Sequence, residues 1–445
     1  MKNKIYLLSL GCARNLVDSE ILLGILKDNN FNITYDLKKA DVAILNTCAF
    51  IDEAKEESLN YIFDLVSLKK QGKLKKIIVV GCFPQRYASQ IKEEIPEVDG
   101  LVTFDKYPEI HKAITYVLQN KKVFWLTEHP QFIYNDKMPR IRLTPRHYAY
   151  VKISEGCHHK CTFCVIPKIK GNYRSRPIAS IIKEISSLVK SGVKEVILIG
   201  QDTTAYGMDS YKKPQLNRLL KEIVKLKNLR WLRILYTHPA YFNDDLIESI
   251  KKYNNICKYA DIPIQHINQK ILKLMGRAPG RDRILGLIKK LREEIPNIGI
   301  RTSLIVGFPK ETEDNFRELV DFVKEVKFER LGVFKYSKEE ETPAYNFKNQ
   351  ASDKVKQQRF KKIMEIQRDI SSQINEKFLN KKMDIIIDKK TAEEKNLYLG
   401  RTQYDAPEVD GLVYLKAKSN NLKPGDIITA MISDSYEYDL VAEQI

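Results

Sequence analysis

The segment SEGCHHKCTFC places Cys157, Cys161 and Cys164 in a C-x3-C-x2-C spacing, and nothing else in the chain restricts its folding as much. Three thiols on so short a loop converge, and converging thiolates are metal ligands. They can hold three irons of a [4Fe–4S] cluster, which ordinarily takes four cysteines. No fourth cysteine is near, so one iron is left open, and an open position is where a metal centre meets its substrate. The competing reading is a zinc site with His158 or His159 as the fourth ligand. His158 adjoins Cys157, which strains closure around one ion, and zinc ribbons draw their ligands from two separated pairs.

A chain of 445 residues suggests about three domains. With 43% hydrophobic and 30% charged residues, it is neither a disordered tail nor short of core material. No apolar run approaches the roughly 20 residues that span a bilayer. The apolar stretch Ile5 to Leu10 is shorter than a signal-peptide core of about 7–15 residues, so a cytoplasmic protein is expected. Seven cysteines, an odd number, argue against a disulfide framework and for metal or cluster ligation. The net charge of +18 is uneven: residues 1–142 carry +3, residues 143–377 carry +18 and residues 378–445 carry −3. A basic centre suits a polyanionic partner such as RNA, or is simply a solvated lysine-rich surface.

The first 120 residues repeat one pattern. IYLLSL runs into Gly11-Cys12, DVAILNT into Cys48 and KIIVVG into Cys82, each followed by a helical stretch. Alternating strands and helices predict a parallel α/β sheet. All three cysteines then fall at carboxyl ends of strands, where open α/β sheets bind their ligands. They could hold a second cluster with an open iron, or be buried core thiols. Residues 123–145 read as a connector.

From residue 148 a second series begins: YAYVKIS, EVILIG, LRWLRILY, YADIPI, IGIRTSLIV and RLGVFKY, with helices between them. Six β/α units predict a partial (β/α)6 barrel. A long helix is expected from Ser352 to Phe378. Beyond it, MDIIID, LYLGRTQ, GLVYLKA, DIITAMI and YDLVAEQ predict a small all-β, OB-like barrel. The expected domains are therefore 1–142, 143–377 and 378–445. Cys257 has no partner and reads as a packing residue.

A C-x3-C-x2-C loop after a first barrel strand resembles the radical S-adenosylmethionine (SAM) superfamily. The resemblance implies that the open iron chelates the methionine end of SAM and that one-electron reduction yields a 5′-deoxyadenosyl radical. Residues implied as SAM contacts are Phe163 beside the last cysteine, Gly200 and Gln201 after the second strand, Gly307 in SLIVGFPKE, and Arg176 as partner of the SAM carboxylate. With the Cys12, Cys48 and Cys82 trio and the C-terminal β-barrel, the whole chain resembles the radical SAM methylthiotransferases. In that family the N-terminal domain holds an auxiliary [4Fe–4S] cluster, the C-terminal barrel is a TRAM domain, and SAM is both methyl donor and radical source.

SLGCARNLVDSE, NTCAFIDEAKEES, LTPRHYAYVKISEGC, IPIQH and GRTQYDAPEVDG resemble the branch that modifies a ribosomal protein. The tRNA branch has a GCQMN-like first motif, and PVQS where Pro263 to His266 stand. Ala49 departs from the usual glycine after the second cysteine. The resemblance implies methylthiolation of the β-carbon of an aspartate in the twelfth small-subunit ribosomal protein, with a flavodoxin or ferredoxin as electron donor. The alternatives are methylthiolation of a tRNA adenosine and, in another class, a zinc-containing RNA-binding protein. A C-terminal barrel of net charge −3 is poorly suited to phosphate and better suited to a basic protein. Asp405, Glu408 and Asp410, clustered in one loop, are its expected docking residues, with the basic middle domain resting on ribosomal RNA.

Overall fold

The computed structural model describes residues 3–392 and 394–445. Its N-terminal unit is a sheet of β1 (Lys4–Ser9), β2 (Asn32–Ile33), β3 (Val42–Thr47), β4 (Lys76–Gly81), β5 (Gly100–Val102) and β6 (Val123–Trp125), in the order β2-β1-β3-β4-β5-β6. Every pairing is parallel. Helices α1 (Ala13–Asp28), α2 (Asp52–Lys70), α3 (Cys82–Glu94) and α4 (Ile110–Leu118) flank it. VAILNT of β3 is buried along its whole length, as a sheet covered on both faces requires. β1, β3 and β4 are the strands the sequence predicts, and the structure adds three shorter ones.

The central unit carries the six expected strands. They are β7 (Tyr148–Lys152), followed by an antiparallel pair of β8 (Ser154–Glu155) and β9 (Arg174–Ser175), then β10 (Glu195–Ile199), β11 (Trp231–Ile234), β12 (Tyr259–Asp261), β13 (Gly299–Val306) and β14 (Arg330–Lys335). They form two parallel three-stranded sheets, β11-β10-β7 and β12-β13-β14. A lone parallel bridge from Leu232 to Ile256 approaches the seam between them. The barrel is therefore split as well as incomplete. Between the strands run α5 (Ile166–Lys170), α6 (Ile178–Lys190), α7 (Met208–Tyr211), α8 (Leu216–Ile223), α9 (Asp244–Lys252), α10 (Gln269–Leu274), α11 (Arg281–Glu294) and α12 (Glu313–Val326). The long helix α13 (Asp353–Glu376) starts one residue after Ser352, whose hydroxyl accepts from the Val355 N–H.

The C-terminal unit is a closed barrel, β15-β16-β17-β19-β18, of β15 (Lys382–Lys390), β16 (Leu397–Arg401), β17 (Val413–Lys416), β18 (Ile427–Ser435) and β19 (Leu440–Gln444). It seals the base of the split barrel through buried charge. Arg401 donates to Asp388 and pairs with Glu195, the first residue of β10, at 2.8 Å. The Arg233 guanidinium reaches the Gln403 carbonyl at 2.9 Å.

Two of the expected docking acids belong to this seal. Asp405 accepts from Arg330, the first residue of β14, and Asp410 pairs with Arg301 at 3.3 Å and accepts from the Tyr259 hydroxyl at 2.6 Å. Both carboxylates are buried, so neither presents charge to a partner protein. The physical reason is that the loop faces the arginines of the central barrel, not water. Glu408 alone is exposed, accepting from the Tyr148 hydroxyl at 3.1 Å. No helix among the described residues is long and apolar enough to cross a membrane.

Candidate functional site

The strands β1, β3 and β4 are hydrogen-bonded neighbours, with Ser9 opposite Asn46 and Thr47 opposite Gly81. Adjacent strands lie about 4.8 Å apart, so their carboxyl ends bring Cys12, Cys48 and Cys82 to one edge. A polar web fixes the three turns. Asn15 donates to the carbonyls of Leu10 (3.2 Å) and Thr47 (2.8 Å), and its Oδ1 lies 3.8 Å from the Cys82 sulfur. Asn46 donates to the Asn15 carbonyl and the Ser19 hydroxyl, while Ser58 donates to the Cys48 carbonyl. Gly11 has φ +84°, and a Cβ there would meet the Cys48 side chain, so the first turn requires glycine.

The second trio sits on the loop between β8 and α5. Gly156 has φ +76°, and a Cβ would stand 2.1 Å from the Asn172 carbonyl oxygen, so only glycine lets the loop leave the strand. The Thr162 N–H donates to the Met275 carbonyl (2.9 Å) and the Ala344 N–H to the Thr162 carbonyl (2.9 Å), pinning the loop to the barrel mouth. Arg277, which the sequence did not signal, lies 3.8 Å from the Cys161 sulfur.

Burial and the neighbouring Cys12 push the Cys48 thiol up to about 11. Burial likewise raises Cys157 to about 11 and Cys164 to about 12, so metal loading at neutral pH releases protons. Cys12 differs. Burial raises it, but Arg14, the Asn15 backbone N–H and Lys170 outweigh burial and leave it below its ordinary value.

The donor sets suit clusters better than single ions. Among the described residues no three cysteine sulfurs lie within 4.8 Å of one another. Tetrahedral zinc at ~2.3 Å from each sulfur would need them roughly 3.8 Å apart. The two histidines are also engaged elsewhere: His159 Nε2 is 2.6 Å from Asp202, and His158 Nε2 is 3.0 Å from the Tyr241 hydroxyl. His159, Asp202 and His238 do approach within 4.8 Å, but the two rings stack at 3.9 Å and 12°, so their in-plane lone pairs do not converge.

Between the trios lies a buried seam of four charges. Lys152 of β7 pairs with Asp18 of α1 and Glu155 of β8, and Lys170, at the end of α5, pairs with Asp18 at 3.3 Å and Glu155 at 3.7 Å. Gln201 donates to Glu155 at 2.9 Å. Since Cys82 opens α3, α5 follows Cys164 and these helices pack together, the seam sets the two cysteine edges against each other. Arg86 and Lys55 both reach Glu339 beyond β14 and hold the far side of the mouth.

The expected SAM contacts fall unequally. Gly200 follows β10, and a Cβ there would meet the Ser154 hydroxyl, so the backbone approach is close. Phe163 packs against the buried group of Met275, Phe308 and Tyr336. Gly307 has φ +74° at the end of β13, but Lys356 of α13 fills the space beside it. Arg176 is a correction. It is 1% exposed, with Nη1 and Nη2 committed to Glu184 (2.6 Å), the Lys152 carbonyl (2.9 Å) and Ser180 (3.0 Å) and Nε buried beside them, so no ligand carboxylate in the mouth can form a fork with it. Cys257 is buried beside Arg233 at the base of the barrel, remote in the fold from both cysteine edges.

Three family descriptions match the chain: the radical SAM superfamily over residues 151–323, Uncharacterized protein family UPF0004 over residues 4–103 and the TRAM domain over residues 381–445. The chain is 46% identical over 440 residues to the ribosomal protein uS12 methylthiotransferase RimO of Clostridioides difficile, covering 99% of this chain and 98% of the relative. Over 444 residues it is 44% identical to the protein of the same description from Geobacter sulfurreducens, covering 100% and 99%. Among solved structures, the radical SAM methyltransferase TsrM of Kitasatospora setae superposes with a TM-score of 0.55 at 15% identity over 77% of each chain, a likeness of fold.

Proposed function

The chain belongs to the ribosomal protein uS12 methylthiotransferases of the radical SAM superfamily, and from that premise we propose that it places a methylthio group on the β-carbon of an aspartate in ribosomal protein uS12. The observation that carries the reading is the pair of cysteine trios set edge to mouth across one buried seam. Cys157, Cys161 and Cys164 would hold the radical-generating [4Fe–4S] cluster, and Cys12, Cys48 and Cys82 the auxiliary one. When bound, these groups and SAM supply one-electron cleavage to a 5′-deoxyadenosyl radical, a methyl group and the transferred sulfur.

The protein's share is placement. A C–H bond offers no handle to acid–base chemistry, so the residues must hold carbon, SAM and sulfur in one small volume and keep water out. Phe163, Gly200, Gln201 and, with the Lys356 side chain moved aside, Gly307 would serve as SAM contacts at the mouth. The Asp18–Lys152–Glu155–Lys170 seam fixes one rim of the gap and Arg86–Glu339 the other. Lys170 also lies over the Phe104 ring, 3.6 Å from its centroid, which closes that wall with apolar surface. Reduction comes from a low-potential donor such as flavodoxin or ferredoxin. The reaction is cytoplasmic, with the basic central domain resting on ribosomal RNA beside the target protein.

The test is anaerobic reconstitution with iron, sulfide, SAM and reductant, followed by mass spectrometry of uS12 and of tRNA nucleosides. The expected product is methylthio-aspartate in uS12. Modification of tRNA adenosine with uS12 untouched would overturn the reading.

A further inference from the structure

One guanidinium stands between the two cysteine edges. Arg14, two residues after Cys12 in α1, crosses the domain seam and donates from Nη1 to the Gly200 carbonyl at 2.8 Å. It thus links the first auxiliary cysteine to the strand end where SAM is placed. Its plane lies over the Tyr236 ring, 4.5 Å from the centroid. Tyr236 is itself held unusually, with φ +58°, a left-handed backbone that a bulky residue rarely takes. It is pinned on both sides: its N–H donates to Asp261 at 2.7 Å, and its carbonyl accepts from the Thr203 N–H at 2.9 Å. A strained, pinned ring is a rigid shelf for the guanidinium.

What Arg14 lacks is equally informative. The fully buried Arg176, Arg233 and Arg401 are each paired with a carboxylate. Arg14 is withdrawn from solvent in part and has no carboxylate within 4.0 Å among the described residues; its one close anionic partner is the Cys12 thiolate, which the auxiliary cluster would claim. With the Cys12 sulfur given over to iron, the half-buried guanidinium keeps donors that no carboxylate of the chain engages, and an anion entering the gap can take them. Guanidinium donors in a fixed fork match a carboxylate better than any other small anionic group a protein side chain offers.

We propose that Arg14 binds the side-chain carboxylate of the substrate aspartate and so fixes the β-carbon between the two cysteine edges. This rests on the function proposed above, in which an aspartate is the target. Arg14 is then a specificity residue: it selects an anionic side chain over a neutral nucleobase. The GCQMN-like motif of the tRNA branch has methionine in this place, where a neutral base offers no charge to pair.

The test uses the full chain reconstituted with iron and sulfide and a fluorescent peptide spanning the uS12 target loop, with aspartate or asparagine at the target position. Wild-type protein should bind the aspartate peptide about tenfold to a hundredfold more tightly than the asparagine peptide. Arg14→Met should bind the two alike at wild-type iron content. Arg14→Gln, which can still donate to the Gly200 carbonyl, should also lose the preference, and Arg14→Lys should keep part of it. Retained discrimination in both neutral variants would overturn the proposal, as would loss of iron in both, which would make Arg14 a structural residue. The same wild-type preparation is assayed for methylthiolation of uS12. If that protein is left unmodified the functional reading fails first, whereas modification by wild type with undiminished discrimination in Arg14→Met defeats the Arg14 assignment alone.

Discussion

Asp405 and Arg330, 75 residues apart in the chain, meet at the base of the split barrel, where Nε of the arginine donates to the carboxylate at 3.0 Å and Nη2 donates to the same oxygen. The pair is buried, and Thr402 donates to the second carboxylate oxygen at 2.6 Å. An acid that looks like surface charge in the sequence is a rivet between domains.

Replacing it should therefore unfold rather than merely unbind. Asp405→Lys buries a second cation against Arg330 and is expected to cost about 3–5 kcal/mol. Urea denaturation should show a lower midpoint, and Glu408→Lys, at an exposed position, should leave it within about 0.5 kcal/mol of wild type.

The base of the barrel also sets an acid limit. Burial pushes Glu195 and Asp388 up, but Arg401 and Arg233 around the first, and His147 with Arg401 around the second, outweigh it and hold both below the usual carboxylate range. Carboxyls held low in the folded state add stability that is complete above about pH 4.3 and lost as pH falls through their folded values. Unfolding midpoints recorded from about pH 6 down to about pH 3 should drop on the acid side, and Glu195→Gln should lower the curve and flatten that limb.

Iron content separates the cysteines. Two four-iron clusters give about eight irons per chain. A Cys12→Ala, Cys48→Ala, Cys82→Ala triple variant should retain about four and still cleave SAM under reductant while transferring no sulfur. Cys257→Ala should keep the full count, since that thiol packs beside Arg233.

The seam can be dissected by a double-mutant cycle. Lys152→Met leaves Asp18 and Glu155 with Lys170 as their one remaining cation, at an expected cost of about 3–5 kcal/mol. Adding Asp18→Leu restores one acid to one base, Glu155 to Lys170, and should recover part of the loss. A coupling of about 1–3 kcal/mol in chemical denaturation is the expected result.

The six strand-and-helix units of the barrel and the strand-end placement of Cys12, Cys48 and Cys82 were legible because apolar runs and turn residues are local signals. β2, β5 and β6 were not: two or three residues show no alternation, and only their neighbours in the sheet make them strands. The errors share a cause. Asp405 and Asp410 as docking acids and Arg176 as partner of the SAM carboxylate are expectations that fail because charge in a sequence carries no sign of its partner, and Arg330, Arg301 and Glu184 are found only in the folded chain. Arg14 carries no signal in the sequence for the same reason: an arginine that meets no carboxylate of its own chain can be recognised only once its surroundings are known.

The four interlocked charges at Asp18, Lys152, Glu155 and Lys170 have one more consequence. Prising the N-terminal sheet from the barrel would take Asp18 away from both lysines and leave them sharing Glu155 alone, so the interval between the sulfur-bearing edges is held before any target arrives. The molecule behaves as a fixed gauge. A glutamate offered in place of aspartate carries one methylene too many, and displacing a reacting carbon by on the order of 1 Å costs about a hundredfold in rate. Side-chain length is thereby judged by the stiffness of a joint that touches no substrate.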